Sequence, residues 1–228
     1  MTADPNAWLV PAVLHQINKH WQPRPQVFVA GYSPIPKMPA WAEFFSLGKI
    51  EDYPASKWSD GFYQAVKLMP EHFILMLDDY LILRRVDTAA IEIIYRYITE
   101  QNNILRFDLC TDRLYSQDAI EAGALGRLDL IETLPGAQYQ MSTQPSLFDR
   151  DKLLSVIVPN ESPWQFEMLG SARANLSAWR VVGTRQAPIR VKIAVNKGKL
   201  DLDTPWQVPP AILSVEDRQE LIEKGLIP

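Results

Sequence analysis

Residues 71–85 read EHFILMLDDYLILRR, and they carry the main signal for the fold class. Five apolar residues at 73–77 run directly into Asp78 and Asp79, and a second apolar run follows at 80–83. An apolar run without alternation is typical of a strand buried on both faces, as in the parallel sheets of α/β proteins. The stretch therefore predicts an α/β fold in which residues 73–77 form a buried strand.

The acidic pair is the first candidate site, because α/β sheets bind ligands just beyond the carboxyl ends of their strands. Asp78 and Asp79 follow the strand with no intervening turn residue. Two carboxylates there suit a hard divalent cation and the phosphates that it carries. Neighbouring residues of an extended chain point to opposite faces, so the two need not share one role. The alternative is that both cap a turn and point to solvent.

The rest of the chain alternates between helical and strand-like patterns, which supports the α/β class. Helices are predicted at 6–20, 58–69, 87–100, 149–158, 164–174 and 214–225. Strands are predicted at 26–30, 44–47, 81–83, 104–109, 128–133, 137–142, 180–183 and 189–195. The chain begins on a helix, whereas α/β nucleotide-binding units begin on a strand. We therefore expect the first strand to be missing or truncated, or the true start to lie upstream.

Composition narrows the functional classes. The 228 residues suit a single domain, and the net charge of −4 gives no general attraction to nucleic acid or to anionic membranes. A lone cysteine, Cys110, excludes an internal disulfide and a cysteine-based metal site. No apolar run approaches a membrane span and no secretion signal is visible, so we predict a cytoplasmic protein. Walker, GxGxxG and GxSxG motifs are absent from the sequence.

A second candidate site lies at the start of the helix predicted at 164–174. Glu167, close to Trp164 and Phe166, could have a raised pKa and act as a general base, and Trp164 could stack on a sugar ring. The alternative is a plain helix entry, with Trp164 in the core and Glu167 favourable near the positive helix end. The pattern alone favours that alternative.

Two turns supply further candidates. Gln144 and Ser146 could hydrogen-bond an acceptor hydroxyl, or could simply satisfy the turn before the next helix. Lys197 and Lys199 flank Gly198 and could hold a leaving diphosphate, although a solvated turn is the default interpretation.

Taken in order, these motifs resemble a set of bacterial and phage glycosyltransferase-like proteins with the GT-A fold, in the glycosyltransferase family 2-like superfamily. The resemblance covers about residues 4–200, and the DDY and PWQFE segments are its most specific parts. The segments that carry it are NKHW ending the first helix, WS at 58–59, FILMLDDYLIL, VD at 86–87, QPSLFDRDKLL, SPWQFE with the following GS, and NKGK at 196–199.

The resemblance implies a single GT-A-like, Rossmann-like three-layer domain with a mixed, mostly parallel central sheet. Residues 1–110 would form a nucleotide-sugar and metal half, 111–200 an acceptor half, and 201–228 a tail with a short helix. It implies a nucleotide-diphosphate-sugar donor, Mn²⁺ or Mg²⁺ at Asp78 and Asp79, and a hydroxyl-bearing acceptor. Glu167 matches the place of a catalytic base, and Asp4 a position near the donor base.

Three hypotheses follow. The first is a metal-dependent, inverting glycosyltransferase. The second is a non-catalytic relative that keeps the fold as a binding or assembly module. The third is a phage-type glycosyltransferase acting on modified DNA bases, which would need a positive groove formed by Arg84, Arg113, Lys197 and Lys199.

Overall fold

Six α-helices and twelve strands make up the regular structure of the part of the chain that the computed structural model describes, residues 2, 4–114, 119–205 and 211–228. The helices, which follow a short 3₁₀ helix at Asp4–Leu9, are α1 (Val10–His20), α2 (Trp58–Lys67), α3 (Thr88–Glu100), α4 (Arg150–Val156), α5 (Pro163–Leu176) and α6 (Val215–Glu223). The strands are β1 (Val27–Gly31), β2 (Ala42–Ser46), β3 (His72–Leu75), β4 (Tyr80–Ile82), β5 (Ile104–Asp108), β6 (Ala119–Leu125), β7 (Leu128–Thr133), β8 (Ser146–Asp149), β9 (Arg180–Thr184), β10 (Val191–Ile193), β11 (Val195–Asn196) and β12 (Lys199–Leu200).

These elements belong to two compact units that are interleaved along the chain. The first unit takes Met1–Ile50, Leu77–Thr88 and Ile189–Pro228, and the second takes Glu51–Met76 and Ala89–Pro188. The single domain and its halves at 1–110 and 111–200 stay predictions.

A six-stranded sheet forms the second unit, in the order β3-β8-β5-β9-β7-β6. The pairing is antiparallel except between β5 and β9, so the sheet is mixed, and four of its strands (β3, β5, β9 and β6) run in one direction. The α/β class and the mixed sheet are thus confirmed. Every residue of β5 is buried, so this inner strand of the sheet is covered on both faces.

The strand predicted at 73–77 corresponds to β3, but its place in the sheet differs from the prediction. β3 is the outermost strand of the sheet, pairs antiparallel with β8, and buries alternate residues, Phe73 and Leu75 most deeply. The interpretation as a strand buried on both faces was therefore wrong. The apolar run is longer than the strand. β3 ends at Leu75, and Met76 and Leu77 lead into the turn that carries the acidic pair. The strand predicted at 137–142 was also wrong, since that segment consists of turns and bends.

Three small ladders order the first unit. β1 and β2 pair in parallel, β4 and β10 pair antiparallel, and β11 and β12 form a hairpin. The backbone N–H of Thr2 donates to the carbonyl of Ala30 in β1 at 2.8 Å, so Thr2 lies beside that strand. Helix α1 contacts β4, whose three residues are all buried.

The C-terminal helix α6 is tied to α1 by a group of charges. Lys19 Nζ lies 2.7 Å from Asp217 Oδ1 and 2.5 Å from Glu220 Oε2, and His15 Nε2 lies 2.9 Å from Glu220 Oε1. Ser214 accepts the N–H of Asp217 and so caps α6, which lies within the helix predicted at 214–225. No helix in the described ranges is long and apolar enough to cross a membrane.

Candidate functional site

The acidic pair lies in the turn between β3 and β4, and its backbone is fixed on the β4–β10 ladder. The N–H of Ala194 donates to the carbonyl of Asp79 at 2.7 Å, and Tyr80 pairs with Ile193 in the next position of the ladder. The turn is therefore held in place by a nonlocal strand, β10, and the carboxylates project from an ordered backbone.

The two side chains have different environments. Asp78 Oδ2 accepts a hydrogen bond of 2.5 Å from the hydroxyl of Thr2. Asp79 Oδ1 is buried and has no hydrogen-bond partner within the described residues. Burial, and after it the charge of Asp78, raises the pKa of Asp79 to about 6. The alternative in which both acids point to solvent does not fit this arrangement.

This donor set fits a hard divalent cation. A buried carboxylate oxygen without a partner, next to a second carboxylate, is a costly arrangement that a bound cation relieves. Among the described residues, no group of three or more His, Cys, Asp and Glu is placed to hold a metal ion. Water and substrate phosphates would complete the coordination, as Mg²⁺ prefers in sites that carry phosphates.

The first unit also contains three other residues that the sequence analysis proposed for donor binding: Lys197, Lys199 and Asp4. Lys197 and Lys199 are exposed on the β11–β12 hairpin, where Lys197 (φ 49°) and Gly198 (φ 75°) form the left-handed two-residue loop that such hairpins favour. The solvated-turn interpretation matches this geometry, and their diphosphate role stays a prediction. Asp4 begins the 3₁₀ helix, but its side chain lies outside the described part of the chain.

The remaining candidates belong to the second unit, where α5 begins with a complete capping box. The hydroxyl of Ser162 accepts the N–H of Gln165, and the Gln165 side chain accepts the N–H of Ser162. Just before it lies the buried Glu161. Its two carboxylate oxygens accept hydrogen bonds from Nη1 and Nη2 of Arg173, at 2.8 and 2.7 Å. The start of α5 is thus anchored both by its capping box and by the ion pair of Glu161 with Arg173.

Trp164 is 74% exposed, so its interpretation as a core residue was wrong. The buried aromatic residue of this motif is Phe166, which packs edge-on against Phe62 at 5.3 Å and near Trp58 at 5.7 Å. A tryptophan left on the surface at a rigid helix start is available to a ligand, and stacking on a sugar ring stays a prediction.

Glu167 Oε1 accepts two hydrogen bonds from Thr143, one from its backbone N–H at 2.8 Å and one from its hydroxyl at 2.9 Å. One turn later, the hydroxyl of Ser171 accepts the N–H of Met141 at 2.9 Å. α5 therefore holds the irregular segment at 139–145, which also carries Gln144. The structure brings Glu167 and this segment together.

Gln144 and Ser146 differ in accessibility. Gln144 is partly exposed, and its Oε1 lies 3.9 Å from the thiol of Cys110. Ser146 is fully buried. Its hydroxyl accepts a hydrogen bond from Arg106 Nε at 2.8 Å and donates one to the carbonyl of Gln144 at 2.9 Å. Its hydroxyl serves the internal structure here, and its contact with an acceptor stays a prediction.

Sequence reasoning missed a buried charge cluster at the carboxyl end of β5, formed by Arg106, Asp108, Asp112 and Arg113. Arg106 is fully buried, and its Nη2 lies 2.9 Å from Asp112 Oδ2, which also receives Arg113 Nη2 at 3.0 Å. Asp108 Oδ2 accepts the N–H of Arg113 at 2.8 Å. Opposite charges two residues apart in an apolar strand, as at 106 and 108, are the sequence signal that could have found it.

The cluster organises the same irregular segment. Arg106 Nη1 donates to the carbonyl of Gln140 at 2.9 Å, and Arg113 Nη2 donates to that of Tyr139 at 2.6 Å. Burial, followed by the charge of Asp112, raises the pKa of Asp108. Burial also opposes the ionisation of Asp112, but the two guanidinium groups outweigh it and lower the pKa of Asp112.

No protein-family model matches this chain, and no curated protein matches its sequence. Among solved structures, the chain is similar to a CMP:2-keto-3-deoxy-manno-octonic acid synthetase complexed with CTP. The similarity has a TM-score of 0.41 and 13% sequence identity, and it covers 78% of this chain and 81% of the other. At that level of similarity, it assigns neither an activity nor a ligand to this chain.

Proposed function

We propose that this protein is a metal-dependent glycosyltransferase that moves a sugar from a nucleotide-diphosphate-sugar to an acceptor hydroxyl with inversion. The observation that carries the proposal is the carboxylate of Asp79, whose buried oxygen has no partner in the described structure, beside Asp78. The resemblance to GT-A proteins places a metal-binding acidic motif at this pair.

In this proposal, Asp79 and Asp78 would hold Mn²⁺ or Mg²⁺. The bound cation would supply positive charge that stabilises the leaving diphosphate. The carboxylate form of Asp79 would be the ligand, so protons would compete with the cation for Asp79 below about pH 6. The exposed Lys197 and Lys199 would place positive charge beside the leaving diphosphate.

Glu167 is the proposed general base, which takes the proton of the acceptor hydroxyl as it attacks the anomeric carbon. Its Oε1 accepts both hydrogen bonds of Thr143, so the carboxylate is oriented before substrate arrives. Trp164 would form one wall of the sugar or acceptor site, and Gln144 would contact the acceptor.

The burial of Arg113 argues against the hypothesis of a glycosyltransferase that acts on DNA bases. Its side chain is 2% exposed and paired with Asp112, so it contributes no cation to a surface groove. The net charge of −4 also disfavours association with a polyanion.

The direct test is thermal unfolding with a panel of nucleotide-sugars, with and without Mn²⁺. We expect one class of donor to raise Tm only when Mn²⁺ is present, because a ligand that binds only the folded chain stabilises it. At a concentration one hundred times Kd, the stabilisation is about 2.7 kcal/mol. Absence of a shift with every donor would contradict the proposal and favour the non-catalytic binding module.

Glu167→Gln tests the general base. Glutamine keeps an oxygen that can accept both hydrogen bonds of Thr143 but cannot take a proton. We therefore expect kcat to fall by about 10²–10⁴-fold, with donor affinity unchanged. Thr143→Val is the matched control, because it removes the hydroxyl contact and keeps the carboxylate. Equal losses of donor binding and turnover in Glu167→Gln would assign the residue a binding role.

A further inference from the structure

Thr2 is buried between strand β1 and the acidic pair. Only 4% of its surface is exposed, and its backbone N–H donates to the carbonyl of Ala30 at 2.8 Å. Its hydroxyl donates to Asp78 Oδ2 at 2.5 Å. One residue thus connects β1 to the acidic pair.

Gly31 supplies an independent sign that this position is built into the fold. A Cβ added there would lie 2.6 Å from Cγ2 of Thr2 and 3.3 Å from the ring of Phe44, and 2.6 Å is closer than packing allows. Gly31 does not need left-handed backbone, since the glycines with positive φ are at other positions. The absence of a side chain at this point is therefore explained by the space that Thr2 occupies.

We propose that Thr2 is a positioning residue for the metal site, which orients the carboxylate of Asp78 by its hydroxyl and is itself seated by Ala30 and Gly31. A hydrogen bond to one carboxylate oxygen fixes the plane of the group and lowers the reorganisation needed to bind a cation. Residues that orient a metal ligand in this way affect metal affinity strongly, although they never touch the metal. This inference rests on the proposed function of the acidic pair.

The test compares Thr2→Val, which keeps the size and the methyl group but loses the hydroxyl, with Thr2→Ser, which keeps the hydroxyl. Mn²⁺ binding is measured by isothermal titration calorimetry on the complete chain, with any purification tag at the C-terminus. We expect Thr2→Val to raise the Kd for Mn²⁺ by about tenfold or more. Thr2→Ser should remain within about twofold of wild type. Thr2→Val should lower the metal-free Tm modestly, because Asp78 loses a hydrogen bond, yet stay folded at the temperature of the titration.

Gly31→Ala is a second variant that alters neither the hydroxyl nor the carboxylate. It should displace Thr2 and weaken Mn²⁺ binding in the same direction as Thr2→Val. The role is overturned if wild type binds Mn²⁺ and Thr2→Val binds it equally well. If neither wild type nor Thr2→Ser binds Mn²⁺, the proposed function fails, and the positioning role fails with it.

Discussion

We expect the Asp79→Asn variant to lose all Mn²⁺-dependent stabilisation and turnover, yet to be more stable than wild type without metal at about pH 7.5. Asparagine has nearly the shape of aspartate but carries no charge. It cannot repel Asp78, and its burial does not desolvate an ion. A gain in stability together with a loss of function would mark the residue as one kept for its chemistry.

The expected pH dependence follows from the pKa of Asp79, which is raised from 3.8 to about 6 in the folded chain. The folded state therefore holds the proton more tightly than the unfolded chain. The free energy of unfolding falls as pH rises from about 4 to about 6, and the penalty is complete above that. At about 1.4 kcal/mol per unit of pKa, the gain in Asp79→Asn at neutral pH is on the order of 2–3 kcal/mol.

Urea unfolding at about pH 4 and pH 7.5, without metal, measures this difference. The two proteins should be equally stable at the lower pH and differ at the higher one. Asp52→Asn is the matched control, because Asp52 is exposed and its substitution should change neither stability nor Mn²⁺ binding. An Asp79→Asn protein that still shows a Mn²⁺-dependent shift would refute the metal site.

The second large effect is expected at Arg106, in the charge cluster. Arg106→Met leaves Asp108 and Asp112 with a single guanidinium partner, and the two hydrogen bonds to Ser146 and to Gln140 are also lost. Removing one member of a buried ion pair costs about 3–5 kcal/mol, because the remaining charge is uncompensated. Urea unfolding at about pH 7.5 should show a loss of that size.

Arg218→Met is the control for this change. Arg218 and its partner Asp203 are largely exposed, so the loss there should stay below about 1 kcal/mol. Adding Asp112→Asn to Arg106→Met should recover part of the lost stability, because it removes an unpaired charge. Acidification should narrow the gap too, since burial and the charge of Asp112 raise the pKa of Asp108 and so favour its protonated, neutral form. Equal losses in Arg106→Met and Arg218→Met would show that the cluster contributes no more than a surface pair.

Features that depend on residues three or four positions apart were predictable from the sequence. Asp149 caps α4 by accepting the N–H of Lys152, and Ser162 and Ser214 cap α5 and α6. In each case, the cap and its target lie within one turn, so the pattern contains the whole interaction.

Features that depend on distant pairing were not predictable. The apolar run at 73–77 gave the right element, but its partner β8 follows more than seventy residues later and its antiparallel direction leaves no local trace. The burial of Arg106 depends on Ser146 and the carbonyl of Gln140, which lie more than thirty residues away in the sequence. Strand order is set by the sum of such distant contacts, which one segment does not encode.

The candidate site also combines features that are visible in the local sequence with contacts that depend on distant residues. The acidic pair was found because two carboxylates after an apolar run are visible in any reading of the chain. Thr2 was not, because nothing in its neighbours along the sequence indicates that it meets Asp78. The exposure of Trp164 was also out of reach, since Phe166, two residues later, fits the core equally well by composition.

The interleaving of the two units has a practical consequence for shortened forms of the protein. A gene fragment encoding residues 51–188 would contain the second unit and also Leu77–Thr88, without the rest of the first unit. Tyr80, Leu81 and Ile82, each at most 4% exposed in the complete chain, would then lose β10 and α1 as cover. An uncovered apolar strand with an unpaired edge promotes aggregation. Such a fragment would precipitate or require detergent, so the acidic pair is best studied in the uncut polypeptide.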